Sequence, residues 1–253
     1  MHIIEKQNKD LEVQKIPMSA DSTISDKKGR TVVSPLMNSS FLYLICGPSG
    51  SGKTNLLISL LKNCQCAKDA KHKKTYFGMF DNVVVVSPSL HTVKNDIFKD
   101  MDDSKKFKRL NEEVFETIES LHEEGKHMLL ILDDVSSELK NKEVLNDLII
   151  LTKNRRHKGA GLSIMIVGHK VSDYPTQIRN NASLVMLFKP KTKKEQEFIF
   201  DEYINLSKEQ YKTLLDFVYR GRFDFLTIDC SLRFSNNFQY NRNFNLLEFW
   251  IQF

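Results

Sequence analysis

The segment FLYLICGPSGSGKTNLLISLL, residues 41–61, constrains this chain more than any other part of its sequence. An apolar run typical of a buried strand leads into GPSGSGKT, which fits the pattern G-x-x-x-x-G-K-[ST] over residues 47–54. Leucines at helical spacing follow, at Leu56, Leu57, Leu60 and Leu61. This order of strand, glycine-rich loop and helix predicts an α/β fold whose loop can bind phosphate groups.

Each residue type in the loop has a physical role in phosphate binding. Glycines let the chain curl so that backbone N–H groups point at phosphate oxygens, and the following helix adds its positive N-terminal end. Lys53 can reach the β- and γ-phosphates, and the Thr54 hydroxyl can bind Mg²⁺. The alternative is a Gly/Ser turn that merely joins a strand to a helix. The predicted nucleotide-binding residues are Gly47, Pro48, Ser49, Gly50, Ser51, Gly52, Lys53 and Thr54.

The segment MLLILDD, residues 128–134, predicts a strand that ends in two carboxylates. Asp133 would belong to the Mg²⁺ shell, and Asp134 can polarise a water molecule for attack on the γ-phosphate. A kinase protects its phosphoryl group from water and has less use for the second acid. The alternative is a pair of aspartates that only caps the turn after the strand.

Polar residues flank the next predicted strand, LSIMIVG. His169 follows its end, where α/β sheets place ligand-facing residues, and additional-strand ATPases have a γ-phosphate sensor there. Before the strand lie Arg155, Arg156, His157 and Lys158. An arginine from a neighbouring subunit often stabilises charge on a transferring phosphoryl group. The alternatives are a structural histidine and a basic loop that faces solvent or contacts DNA.

The rest of the chain alternates between apolar runs typical of strands and segments with apolar residues at helical spacing. NVVVVSPS, SLVMLFK and FDFLTIDC predict strands, and LNEEVFETIESLHEEGKH, VLNDLIILTKN, KEQEFIFDEYI and KEQYKTLLDFVY predict helices, the first with Gly125 as its stop. Nearly all-apolar strands that alternate with helices predict a mainly parallel sheet covered on both faces. Residues 1–38 are expected to form an extended arm, flexible or used in assembly, with a short strand at TVV. Residues 39–253 would form the P-loop domain. The apolar segment LLEFWIQF indicates no particular structure.

Composition excludes several other classes of protein. The four cysteines form no CxxC pair and lack zinc-site spacing, so we expect reduced thiols. The N-terminus is too charged for a signal peptide, and no apolar run reaches the roughly 18 residues of a membrane span. We therefore expect a soluble intracellular protein, and its net charge of +5 suits an anionic partner.

Several motifs occur in an order that resembles a known family. GPSGSGKT, VVVVSPS, LLILDD, the N-x-R-H of residues 154–157 and YPTQIRNNASLVMLFK together resemble the genome-packaging ATPases of large DNA viruses and virophages. The poxvirus packaging ATPase is the best-known relative, in the FtsK–HerA superfamily of P-loop motors. The likeness covers about residues 40–235. The phosphate loop is generic, whereas the ordered set LDD, NRRH and P-x-x-I-R-N-N is more specific.

The resemblance implies a RecA-like core that hydrolyses ATP with Mg²⁺ and a homo-oligomeric ring that moves double-stranded DNA into a capsid. It also implies capsid or portal-vertex proteins as partners and a place in the host cytoplasm, a virus factory or the virion. Arg156 takes the position of the arginine in N-x-R-H, a candidate trans-acting finger, and Arg155 is expected to point elsewhere. Arg179 lies in the IRNN segment, and His169 stands where the family often has Gln.

No added DNA-binding domain is evident, so DNA contacts would come from lysines in loops of the core. Each lysine cluster could equally be a solvated face. The candidates are Lys68, Lys71, Lys73, Lys74, Lys191, Lys193 and Lys194.

Two other functions stay open. A phosphotransferase acting on nucleosides or nucleotides would need an acceptor pocket and usually a lid of arginines, and no clear lid is visible in the sequence. A nucleotide-gated assembly factor would bind capsid proteins and hydrolyse ATP rarely. Turnover measured with and without long duplex DNA separates these functions from a motor.

Overall fold

The computed structural model describes residues 2–6, 23–25, 31–33, 35–37, 40–65, 74–89, 97–122, 126–158, 161–230 and 239–250. Its strands are β1 (His2–Lys6), β2 (Thr23–Ser25), β3 (Thr31–Val33), β4 (Leu42–Cys46), β5 (Cys64–Gln65), β6 (Lys74–Thr75), β7 (Asn82–Val86), β8 (Lys106–Phe107), β9 (Met128–Asp133), β10 (Leu162–Gly168), β11 (Leu184–Phe188), β12 (Phe225–Asp229), β13 (Gln239–Arg242) and β14 (Asn245–Trp250). Its helices are α1 (Lys53–Lys62), α2 (Glu112–Ser120), α3 (Lys142–Asn154), α4 (Thr176–Arg179), α5 (Lys193–Tyr203) and α6 (Lys208–Val218). Among the described residues, no helix is long and apolar enough to cross a bilayer.

One large sheet has the strand order β1–β14–β13–β12–β11–β4–β10–β9–β7–β8. The strands from β11 to β8 pair in parallel. The strands from β11 to β1 pair antiparallel. The predicted mainly parallel P-loop sheet is therefore confirmed, and an antiparallel extension adjoins it. The apolar end of the chain, to which the sequence assigned no structure, contributes β14 to this extension.

Helices cover both faces of the sheet, as predicted. In β4, Leu44 belongs to a buried cluster with residues of α2, α3, α5 and α6. Its neighbour Ile45 belongs to a second cluster with leucines of α1 and with the aromatic side chains of Tyr76 and Phe80. Successive strand residues point to opposite faces, so strands with apolar residues at nearly every position can bury both sides.

The predicted helices are all present, with small differences at their ends. Helix α2 ends before the end of its predicted segment. Leu121 already serves as its C-cap and donates its N–H to the Thr117 carbonyl at 3.0 Å. Gly125, the predicted stop, lies outside the described residues. Helix α3 begins before its apolar pattern because the Asn141 side chain caps it by accepting from the Glu143 N–H at 2.9 Å.

Parts of the expected N-terminal arm contribute to the sheet and its core. Strand β1 pairs antiparallel with β14, with Ile4 opposite Glu248, and the side chains of Leu36 and Met37 are buried beside α1. The short TVV strand is β3, which pairs with β2. The arm is thus joined to the domain at two places that the sequence did not indicate. The division at residue 38 and the arm's role in assembly stay predictions.

Strand register brings three functional segments to one edge of the sheet. Cys46 of β4 is opposite Gly168 of β10, and Asp133 of β9 is opposite Val167. Because these parallel strands end level, the loop after β4, the residues after β9 and those after β10 meet at the same edge. Strand β10 lies between β4 and β9, so its following residue, His169, stands between the phosphate loop and the acidic pair.

Candidate active site

The loop between β4 and α1 has the backbone conformation that its glycines permit. Gly50 and Gly52 have φ values of 73° and 104°, in the left-handed region where side chains cause strain. Helix α1 begins directly after Gly52, whose carbonyl accepts the Leu56 N–H at 2.9 Å. A Cβ added to Gly47 would lie 2.6 Å from Phe188 Cβ, so the loop packs closely on the end of β11. The spacing of the motif therefore reflects both turn geometry and packing.

Lys53 is half-buried at the first position of α1. Its Nζ donates to the Pro48 carbonyl at 3.1 Å, which holds the ammonium group inside the loop. Burial lowers the pKa of Lys53, and the charges of Asp133 and Asp134 oppose that decrease. The cation is thus positioned between a backbone oxygen and two acidic residues, where the phosphates of a nucleotide would add negative charge.

Asp133, the last residue of β9, is partly buried and hydrogen-bonded. The Ser87 hydroxyl, which follows β7, donates to Asp133 Oδ2 at 3.0 Å. Burial raises the pKa of the Asp133 carboxyl, and the Ser87 hydrogen bond and the Lys53 charge act in the opposite direction. Sequence reasoning missed Ser87 as a site residue. The signal was available, since Ser87 follows a strand that ends at the same edge.

Asp134 and His169 contact one another in front of the phosphate loop. Asp134 has a φ of 57°, and its N–H donates to the Val167 carbonyl at 2.9 Å, which fixes the turn after β9. Its Oδ1 lies 3.4 Å from His169 Nε2, and both side chains are about half exposed. This left-handed conformation is uncommon for a residue other than glycine and directs the backbone away from the strand immediately after Asp133.

A cleft of about 440 Å³ brings together the predicted catalytic residues except Arg156. Lys53, Thr54, Asp133, Asp134 and His169 all line it, together with Asn55, Ser89 and Phe223. The Thr54 hydroxyl and the Asp133 carboxylate offer oxygen ligands, which a hard cation such as Mg²⁺ prefers. The rise in the pKa of Asp133 on burial also fits a carboxylate whose charge a cation would compensate. These residues are therefore suited to hold Mg²⁺.

Glu195 links the His169 segment to helix α5. Its buried carboxylate accepts hydrogen bonds from the Val171 N–H and the Ser172 hydroxyl, two and three residues after His169. Helix α5 also carries the exposed Lys193 and Lys194, and Lys191 precedes its N-cap Thr192. The predicted lysine cluster thus lies at the same sheet edge as the cleft. A neighbouring apolar cavity of about 340 Å³ is lined by residues of both segments.

The other predicted lysine cluster is mostly outside the described part of the chain. Lys68, Lys71 and Lys73 lie in an undescribed range, and only the backbone of Lys74 is described, in β6. Their role in DNA binding stays a prediction.

The arginines near α3 and α4 occupy different environments. Arg155 is 4% exposed, and its guanidinium donates to the carbonyls of Ser40, Thr152 and Asn181 at 2.9, 2.6 and 3.1 Å. Arg179 is also buried and is paired with Glu202 at 3.2 Å. Both guanidinium groups therefore support the fold, whereas the neighbouring Arg156 is exposed.

Arg156 lies at the sheet edge opposite the cleft. The turn Arg155–His157 follows α3, and Arg155 contacts Ser40 and Asn181, which precede β4 and β11. The other predicted catalytic residues, Lys53, Asp134 and His169, follow the opposite ends of β4, β9 and β10, which run parallel to one another. A seven-residue strand such as β10 spans roughly 20 Å, so Arg156 does not reach the cleft of its own chain.

Comparison with known proteins places these features in a family. A family model for the AAA domain matches residues 38–172, more than half of the chain. B204, the DNA-packaging ATPase from Sulfolobus turreted icosahedral virus, has a similar structure, with a TM-score of 0.52 and 18% identity over 81% of this chain and 98% of that chain. No curated protein sequence matches the chain.

Two further solved structures share the fold. B204 from Sulfolobus turreted icosahedral virus 2, in complex with ATP-gammaS, gives a TM-score of 0.54 at 17% identity over 82% of this chain and 100% of that chain. The pCW3 conjugation coupling protein TcpA with ATPgS gives a TM-score of 0.51 at 15% identity over 92% of this chain and 71% of that chain.

The fold and the cleft define a P-loop nucleotide-binding protein with a RecA-like sheet. Its phosphate loop, strand-end acids and intervening strand fall within the matched residues 38–172. The chain belongs to the AAA domain family.

Proposed function

We propose that this protein is an ATP-hydrolysing motor that translocates double-stranded DNA, and that its task is to package a viral genome into a capsid. The observation that carries the proposal is the convergence of Lys53, Asp133, Asp134 and His169 in one cleft. The fold shared with a DNA-packaging ATPase and a conjugation coupling protein supports the choice of DNA as the translocated polymer.

The phosphate loop would bind the triphosphate and orient its γ-phosphate toward the acids. Lys53 would leave the Pro48 carbonyl, its partner in this structure, and contact the β- and γ-phosphates. Thr54 and Asp133 would hold Mg²⁺, with Ser87 orienting Asp133 through its hydrogen bond. Bound Mg²⁺ bridges phosphate oxygens and neutralises developing charge.

Asp134 would accept a proton from the attacking water. It follows the metal-binding residue directly and is half exposed, so a water molecule can reach its carboxylate. His169 is at 3.4 Å and would orient Asp134 before nucleotide binds, then contact the γ-phosphate. Water as the acceptor would distinguish this cleft from that of a phosphotransferase.

DNA would be held by phosphate contacts rather than by reading of bases, because a packaging motor must pass any sequence. Lys191, Lys193 and Lys194 are exposed on the cleft side of the sheet. Glu195 connects this segment to the residues after His169 by two hydrogen bonds. A change at the γ-phosphate could therefore reach the lysines through a short, buried contact.

A ring would complete the site with an arginine from a neighbouring chain. Arg156 is exposed and lies at the opposite sheet edge from its own cleft, which favours action in trans. Head-to-tail packing of identical subunits brings opposite faces of two chains together and generates a closed ring when the rotation between subunits closes. The ring, its capsid or portal partners, and a cytoplasmic or virion location are parts of this proposal.

The test measures ATP hydrolysis with and without long duplex DNA. We expect strong stimulation by DNA, loss of turnover in Lys53→Ala, and normal turnover in Lys62→Ala, which removes an exposed lysine from the same helix. Phosphate transfer to an added nucleoside would instead indicate a phosphotransferase. Nucleotide binding with negligible turnover would indicate an assembly factor, and unchanged turnover in Lys53→Ala would remove the ATPase assignment.

A second measurement tests the DNA contacts. Affinity for duplex DNA should fall steeply with salt and depend little on sequence. Replacing Lys191, Lys193 and Lys194 by alanine should reduce the slope of log affinity against log salt by up to about three. Replacing Lys108, Lys140 and Lys142, which are also exposed, is the matched control. An unchanged slope in the first variant would reject this cluster as a DNA contact.

A further inference from the structure

Phe223 is a large apolar side chain left open to solvent at the nucleotide cleft. It is 56% exposed, and it belongs to the turn between α6 and β12. It lines the same cleft as Lys53 and Thr54. A Cβ placed on Gly52 would lie 3.3 Å from Phe223 Cδ1, so the ring sits against the start of α1. Neither helix packing nor strand packing accounts for this exposure.

The sheet order puts Phe223 across the cleft from the acids. Asp133 and His169 follow β9 and β10, on one side of β4, whereas Gly52 also faces Phe188 of β11, on the other side. A triphosphate whose γ-phosphate points toward the acids must leave its nucleoside on the opposite side of the loop. Phe223 and Asn55 line the cleft beyond Lys53 and Thr54, where that nucleoside would emerge.

The turn that carries Phe223 is held in place by its neighbours. The Asp224 carboxylate accepts hydrogen bonds from the Gly221 N–H at 2.6 Å and from the Asn243 amide at 3.2 Å, and it pairs with Arg242 at 3.1 Å. Asn243 also accepts the Phe225 N–H at 3.0 Å. The ring is therefore presented by a pre-organised turn, and little conformational entropy would be lost when a ligand stacks on it.

We propose that Phe223 is the stacking platform for the nucleobase, and that the cleft therefore prefers purine over pyrimidine nucleoside triphosphates. This inference rests on the proposed ATPase function. Every base has a π-face, so stacking on an aromatic ring holds a base without reading its edge, and the larger purine ring system overlaps more of the phenyl ring. The Arg222 guanidinium lies over the Phe223 ring, with its Cζ 5.3 Å from the ring centroid.

The test compares the affinity for ATP, which has a base, with the affinity for inorganic tripolyphosphate, which has none. Both are measured by calorimetry in the presence of Mg²⁺. Phe223→Ala should weaken ATP binding by about fivefold to about a hundredfold, and it should leave binding of inorganic tripolyphosphate unchanged. Phe223→Trp should retain ATP affinity, and the added indole fluorescence should be quenched by ATP but not by tripolyphosphate. Ile150→Ala, which removes the exposed apolar side chain of α3, is the control and should bind both ligands normally.

Each of the following outcomes would overturn the proposal for Phe223. Equal losses for ATP and tripolyphosphate in Phe223→Ala would mean that the ring supports the loop. Normal ATP affinity in Phe223→Ala would mean that the base does not stack there, and equal wild-type affinity for ATP and CTP would reject the purine preference. Failure of the ATPase assignment is separate, because it would show as unchanged hydrolysis in Lys53→Ala with Phe223 intact.

Discussion

His169 Nε2 lies 3.4 Å from Asp134 Oδ1, although the two residues follow different strands of the sheet. The contact depends on β10 lying next to β9 and on the left-handed backbone at Asp134. It places an imidazole beside the carboxylate proposed to activate water. The proposed proton acceptor and the proposed γ-phosphate contact can therefore influence one another, which makes Asp134 the most informative residue to change.

Asp134→Asn should separate binding from hydrolysis. Asparagine keeps the shape of the side chain but cannot accept the proton from water, so turnover should fall by about 10²- to 10⁴-fold. Affinity for ATP with Mg²⁺ should stay near normal. Equilibrium binding and single-turnover hydrolysis measure the two quantities. Loss of nucleotide binding in this variant would mean that Asp134 acts in the metal shell or in the fold.

His169 supplies the comparison for that experiment. His169→Ala removes the contact with Asp134 but leaves the carboxylate, so its effect on turnover should be smaller than that of Asp134→Asn. His169→Gln keeps a hydrogen-bond donor and should recover part of the loss. A loss in His169→Gln as large as that in His169→Ala would mean that the imidazole itself is required.

Asp133→Asn should abolish Mg²⁺-dependent ATP binding without destabilising the nucleotide-free protein. Burial raises the pKa of Asp133, so the native state binds this proton more tightly than the unfolded chain does. The carboxylate therefore lowers stability as pH rises above the ordinary carboxyl range. Asparagine removes that cost and can still accept the Ser87 hydrogen bond.

Thermal unfolding without nucleotide shows whether the Asp133 carboxylate raises or lowers stability as pH rises. The melting temperature of Asp133→Asn relative to the unchanged protein should increase between about pH 4 and about pH 7.5. A fall over that range would contradict the raised pKa. ATP with Mg²⁺ should raise the melting temperature of the unchanged protein but not of the variant, because the variant has lost a ligand for the cation.

Arg156→Ala subunits should bind ATP normally and hydrolyse it poorly, by roughly 10³-fold or more if the residue is a finger. Mixing them with Lys53→Ala subunits should restore part of the activity. A site with an intact Lys53 would then receive an intact Arg156 from its neighbour. Turnover is measured across mixing ratios. His157→Ala, which changes the adjacent exposed side chain, is the matched control.

The competing possibility for Arg156 is a DNA contact. In that case turnover without DNA would be near normal, stimulation by DNA would be lost, and mixing with Lys53→Ala would restore little. Absence of recovery in stable mixed rings would reject Arg156 as the finger.

Arg155→Ala should destabilise the fold, by about 2 kcal/mol or more, because three carbonyls in buried or partly buried hydrogen bonds lose a charged donor. The sequence suggested that Arg155 would be the milder substitution beside Arg156. The structure agrees that Arg155 points elsewhere, but its burial makes it unsuitable as a catalytic control. Chemical unfolding of Arg155→Ala and Arg156→Ala tests this, and equal stability of the two variants would contradict the role assigned to Arg155.

The sequence by itself determined the phosphate loop, the strand and helix on either side of it, and the chemistry of its residues. GPSGSGKT needs only local geometry, since its glycines, Lys53 and the start of α1 are within one short segment. The order of the central strands and the longer helices was also readable, because burial on both faces of a strand and one face of a helix leaves a local apolar period. The acids at the end of β9 and His169 after β10 followed from the same pattern.

Only the tertiary structure decided which distant residues meet. The pairing of β1 with β14, the Ser87 hydrogen bond to Asp133, and the position of Phe223 beside Gly52 all join segments far apart in sequence. The same holds for Arg155 and Arg156, adjacent residues of one type that differ in burial. Their roles depend on which carbonyls and strands lie opposite them. Such contacts join distant segments, so they produce no periodic pattern of residues along the sequence from which they could be predicted.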